Sequence, residues 1–241
     1  MTASNISASR LVIPRVLLLR MPEFSAGLQR LMKNGLKWTR RNCRTASPEQ
    51  RDSLVTERDD LRGKSEESLR RAREALIAGN VSPVDPNYRL VILGQGNIIF
   101  NREVGASSNE EKASYYHEAL LRYQEAGELL PDDPRPFLYQ GMCYERLTEI
   151  AQSPDDKAHQ FALGEAVLRK ALTLTLDSPD YSPALPYREL ASLYAHMNDY
   201  QSALDSLRNA KQADPNSADS VHLDEEIRSI EQYLAGKQKA N

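Results

Sequence analysis

ALPYRELASLYAHMNDYQSALDSLRNAKQADPNS, residues 184–217, decides the fold of this chain. Tyr187, Leu190, Ala191 and Tyr194 recur at intervals of three, one and three, which places them on one stripe of a helix. Asn198-Asp199 interrupts the run, and Asp199 is suited to cap a second helix. That helix carries Ala203, Leu207 and Ala210 on one stripe and stops at Asp214-Pro215. Ala191 and Ala203 are small where two helices must come close, and the tyrosines and leucines fill the space between them.

Together these 34 residues resemble a tetratricopeptide repeat, a helical hairpin of about 34 residues closed by a proline. Two looser copies precede it. Phe137, Gly141 and Tyr144 reproduce the first helix, and Gly164, Leu168 and Ala171 the second, with Ser178-Pro179 beyond. Upstream, Leu90, Leu93, Gly94 and Asn97 fit a first helix entered from Asp85-Pro86, and Ala119, Tyr123, Ala126 and Pro131 fit its partner. Both copies are stretched: 20 residues separate Tyr144 from Gly164 and 22 separate Asn97 from Ala119, against 9 from Tyr194 to Ala203. The added stretches are rich in helix formers and contain turn signals at Ser153-Pro154-Asp155-Asp156 and Gly105-Ala106-Ser107-Ser108. They read as helices one to two turns longer than usual, the alternative being inserted loops.

The expected fold is therefore all-α, a helical-hairpin solenoid of about three repeats, two of them elongated, over residues 83–236 (87–133, 134–183, 184–217). Leu223, Ile227, Ile230, Tyr233 and Leu234, with Val221 before them, form one amphipathic helix at 219–235 that closes the stack. Residues 49–82 read as a charged helix with Leu61, Ser65, Leu69, Ala72 and Leu76 along one side. It is either a degenerate half-repeat on the open end of the array or a solvated linker.

Charge divides the chain further. Residues 1–48 hold nine basic side chains and one acid, Glu23, for a net of +8, so the remainder carries −11 to reach −3 overall. Three readings of this head stay open: a transit segment, an uninformative extension, or an arm that touches anionic lipid or RNA. In the last case Leu28, Leu31, Met32, Leu36 and Trp38 would form its apolar face. The longest apolar run, Leu11 to Leu19, is broken by Pro14-Arg15, so no membrane span is expected. Cys43 and Cys143 lie 100 residues apart without a Cys-x-x-Cys pair, which fits a reducing compartment. The expected location is intracellular and cytoplasmic, or organellar if the head is a transit segment.

No catalytic set stands out. His117, His159, His196 and His222 share no His-x-x-x-His spacing, and Asp155, Asp156 and His159 read as a helix-start cluster. Gly94-Gln95-Gly96-Asn97 lacks the third glycine and the Lys-Ser/Thr pair of a phosphate loop. The expectation is a non-enzyme with no cofactor and no metal. What the resemblance implies instead is a groove lined by the first helix of each pair: Val91 and Gln95, then Arg135, Leu138, Met142 and Glu145, then Leu185, Arg188, Ser192, Ala195 and His196. The Lys, Asn and Arg set with which one subclass of the family grips a C-terminal carboxylate is missing, since those positions read Val91, Gln95, Tyr139, Leu185 and Glu189. The expected partner is thus a peptide or an amphipathic helix of another protein. The alternative is a structural subunit or assembly factor of a larger complex, with nucleic acid touching the basic head rather than the repeats.

Overall fold

The computed structural model describes residues 48–82, 85–176, 181–215 and 220–240. The basic head with Leu28, Leu31, Met32, Leu36 and Trp38, along with Cys43, Ser178-Pro179 and the side chains of Val221 and His222, lies outside the described residues. Within them the chain is all helical, with no strand. Eight α-helices follow in order: α1 (Pro48–Ala78), α2 (Pro86–Phe100), α3 (Asn109–Leu129), α4 (Pro134–Ile150), α5 (Pro154–Leu176), α6 (Ala184–His196), α7 (Tyr200–Ala213) and α8 (Ser220–Ala240). None of them is long and apolar enough to cross a membrane. The chain divides inside α2, between Gly94 and Gln95, into two compact units.

In the first unit, α1 carries its charges on an open face, with Lys64 on Asp60 (2.6 Å) and Arg71 on Glu67 (2.6 Å). Such exposed pairs, screened by solvent, contribute little to stability. Leu69 and Leu76 are buried on the other face, and a side chain at Gly94 would meet Leu69 at 3.2 Å. Asn80 ends α1 in the left-handed conformation (φ 49°). Val81 N–H then donates to the Leu76 carbonyl and Asn80 N–H to that of Ile77, which satisfies carbonyls that the helix end leaves open.

The second unit is a helical-hairpin solenoid: each helix from α3 onward packs on the next, and α4 also packs on α6. Local chemistry starts and stops these helices. Ser108 Oγ accepts from Glu111 N–H (3.2 Å) at α3, Asp133 from Arg135 N–H (3.0 Å) at α4, and Ser153 from Asp156 N–H (3.1 Å) at α5. Asn198 (φ 60°) ends α6 as Asn80 ends α1, and Asp199 then caps α7 through Ser202 N–H (3.1 Å). The stretched second copy is helix on both sides of a short turn, since α4 reaches Ile150 and α5 starts at Pro154. In the first copy the added residues are split: a 3-10 helix over Asn101–Gly105, a turn, and an early start of α3 at Asn109.

Helices meet where side chains are missing. A side chain at Gly96 would run into Tyr123 of α3, whose hydroxyl donates to Asn97 Oδ1 (2.8 Å). A Cβ added at Gly127 of α3 would lie 3.2 Å from Phe137 of α4, one at Gly141 of α4 would overlap Leu168 of α5, and one at Gly164 of α5 would lie 3.0 Å from Tyr144 and 3.2 Å from Leu193. Ala171, Ala203 and Ala210 are fully buried. Around these contacts Phe137, Leu138, Leu168, Leu190, Leu193 and Tyr194 form one core, and Ala191, Leu207, Ala210 and Leu223 a second that α8 completes with Ile227 and Ile230. Tyr200 and Tyr233 (ring centroids 4.6 Å apart) and the Arg208–Glu231 pair (2.8 Å) also join α7 to α8. That helix runs through Gly236 to Ala240, past the stop that glycine suggests.

Gly141→Ala is a sharp test of this packing. At an open helical position the change would stabilise by up to about 1 kcal/mol; here the new methyl strikes Leu168, and a net loss of about 1 kcal/mol or more is expected in urea unfolding. Gly236→Ala, where nothing lies within 4 Å, serves as the control and should be neutral or slightly stabilising. A more stable Gly141→Ala protein would mean that α4 and α5 do not meet at this glycine.

Candidate functional site

α4, α6, α7 and α8 enclose a cleft of about 420 Å³. Glu145 and Arg146 of α4, Arg188, Glu189, Ser192 and Ala195 of α6, Leu207 of α7, and Glu226, Ser229 and Ile230 of α8 line it. Tyr194 and Leu193 turn into the core, and the helical period therefore swings Arg188, Ser192 and Ala195 toward α4 and α8.

The charged centre of the cleft is Glu145, whose side chain is only 3% exposed. A buried carboxylate is costly unless several donors reach it. Here Ser192 Oγ donates to Oε1 (2.6 Å), His196 Nε2 lies 2.7 Å from the same oxygen, and Arg146 Nε approaches Oε2 (3.4 Å). Burial raises the carboxyl's pKa, but the His196 hydrogen bond, the Arg146 charge and Ser192 outweigh it and hold the pKa below its ordinary value. Arg146 also bonds Glu149 Oε2 (3.1 Å) one turn further along α4. Glu189 behaves in the opposite way. Burial, then the neighbouring Glu145 charge, push its carboxyl up to about 7, against the lesser pull of Arg146 and Arg188.

Of the residues expected from sequence to line a groove, the structure gathers Glu145, Arg188, Ser192 and Ala195 in this cleft, and His196 joins them through Glu145. The others are placed elsewhere. Val91 is buried in the first unit, and Leu138 is buried in the core of the second. Arg135 is held at the start of α4, gripping Asp133 through Nε (2.9 Å) and Nη2 (2.6 Å) and lying over the Tyr181 ring (5.4 Å). Gln95 and Met142 are half-buried, and Leu185 is half exposed at the start of α6. Arg146, Glu149 and Glu226 are not among the residues the sequence assigns to the groove, and Glu189 enters there only as a position where the carboxylate-gripping set is missing. Glu145-x-x-x-Glu149 was legible as an i, i+4 pair, but His196 follows 51 residues after Glu145 and only the fold brings it near. Cys143 is fully buried, and burial pushes its thiol well above the ordinary value, away from nucleophilic use. Compared with known proteins, the chain matches no family model and no curated protein.

Glu189 makes stability depend on pH in a defined window. Between its unfolded value of 4.5 and its folded value of about 7 the folded chain keeps a proton that the unfolded chain loses, so stability falls as pH rises through that range and levels off above it. Glu189→Gln removes this loss. The melting temperature of the variant, relative to the unsubstituted chain, should therefore be higher at pH 8 than at pH 5. An equal offset at both pH values would show that the carboxyl keeps an ordinary pKa.

Proposed function

We propose that the second unit is a non-catalytic scaffold of tetratricopeptide-like hairpins that holds a peptide or helix of another protein in the cleft between α4, α6 and α8. The observation that carries this reading is the cleft's position on successive first helices of the pairs, α4 and α6, with α8 in the place of the next. The sequence pattern supports it, because the 34 residues of α6 and α7 match the repeat in stripe, small contact residues and closing proline. Cleft chemistry supports it as well. Ala195, Leu207 and Ile230 offer apolar surface, and Arg188, Glu189, Ser192 and Glu226 offer polar groups that fix an orientation.

A photoreactive residue at position 229, exposed on the cleft rim, tests this in cells of origin. Adducts with a defined peptide should form from position 229 and not from position 201, an exposed site on α7, and Arg188→Gln should weaken them while far-UV circular dichroism shows the chain still helical. Equal labelling from both positions, insensitive to Arg188, would remove the cleft as the binding surface.

A further inference from the structure

Glu145 and Glu149 share one face of α4, being one turn apart, and the last turn of α6 brings His196 against that face. One carboxylate oxygen from each glutamate and one ring nitrogen of His196 all lie within 4.8 Å of one another. We propose that these three side chains form a binding site for a first-row divalent cation, foremost Zn²⁺, with water completing the coordination. The site shares Glu145 with the cleft, but zinc binding to it is read without any peptide in the cleft and so stands or falls by itself.

The donor set favours this class of ion. Imidazole with carboxylate suits zinc and its first-row neighbours, whereas Mg²⁺ and Ca²⁺ take oxygen ligands almost alone. Three protein ligands with an open fourth position is a common zinc arrangement. The geometry is close to what such an ion needs. His196 Nε2 and Glu145 Oε1 stand 2.7 Å apart with a hydrogen between them. Two donors on one tetrahedral zinc, each at about 2.0 Å, stand roughly 3.3 Å apart, so an opening of about half an ångström admits the ion. The site can open because the His196 and Glu149 side chains are 25% and 48% exposed.

The surroundings are arranged to leave that position available. Arg146 contacts the Oε2 oxygen of both glutamates, at 3.4 and 3.1 Å. Among the described residues, Oε1 of Glu149 accepts no hydrogen bond. Ser192 Oγ, donating to Glu145 Oε1 (2.6 Å), orients the buried carboxylate from the second helix. In the metal-free chain, Arg146 and the bridging hydrogen compensate the two carboxylates. Zinc takes the place of that hydrogen and ties the end of α6 directly to α4.

Isothermal titration of the full chain with ZnCl2 tests the site, with far-UV circular dichroism confirming that each variant is folded. Glu149→Gln and His196→Gln are the informative changes, because both side chains are partly exposed and neither fills the core. The unsubstituted chain should bind zinc at micromolar concentration or tighter. Each substitution should remove one bound zinc per chain or weaken it at least about tenfold, while His159→Gln leaves it unchanged. Zinc should also raise the melting temperature of the unsubstituted chain and not of Glu149→Gln, and MgCl2 should produce neither effect. No zinc binding, or binding that survives both Glu149→Gln and His196→Gln, would overturn the proposal and leave the three groups as an ion-pair staple.

Discussion

The second unit depends on helix pairs approaching more closely than ordinary side chains allow. At Gly141 against Leu168, at Gly164 against Tyr144 and Leu193, and at Gly127 against Phe137, one helix presents no side chain and the other fills the gap. Interiors are packed near crystal density, so such a contact fixes both the separation and the rotation of the two helices. Gly164 is the pivotal case. A Cβ there would meet Tyr144 of α4 and Leu193 of α6, so its absence lets the second helix of one hairpin close on both its own first helix and the first helix of the next. Once α4 and α6 are set in this way, their polar residues have only one place to meet.

That meeting place brings two enclosed carboxyls close together. Glu145 is almost wholly enclosed yet ionised, because Ser192, His196 and Arg146 supply the donors that water would otherwise provide. Glu189, beside it, lacks comparable help and holds its proton to about pH 7. Two glutamates on adjoining helices are thus driven in opposite directions by their surroundings. Perturbed carboxyls cluster at functional sites and in structural ion-pair networks alike, and this pair adjoins the α6–α7 hairpin.

Legibility in the sequence followed range of interaction. Asn198 as a helix stop, Asp199 as a cap, and Ala203 and Ala210 as buried contacts could all be read, because each acts through residues within a few turns. The groove was less legible. A period of 3.6 identifies the stripe that packs on a partner helix, but not which flank of that stripe a third helix covers. Leu138 was expected to line the groove and is instead covered in the core, while Glu189 and Arg146 lie on the cleft. Arg135 looked like a partner-facing cation, yet its own capping residue, Asp133, engages it two positions away. Gly94 carries the first-helix spacing in the sequence, but a Cβ there would meet Leu69, while within the second unit it is Gly96 that leaves room for Tyr123. Neighbouring glycines cannot be told apart without the rotation of the helix that carries them.

A double-mutant cycle on Gly141 and Leu168 addresses the close approach most directly. Leu168→Ala alone opens a cavity and should cost about 2 to 5 kcal/mol. If the glycine is there to admit that leucine, the methyl of Gly141→Ala should be tolerated once the leucine is gone. The paired variant should then be more stable than the summed single changes by about 1 kcal/mol or more. Additivity within about 0.5 kcal/mol would contradict the account, because it would mean that the two residues do not share a contact and that something else sets the spacing of the helices.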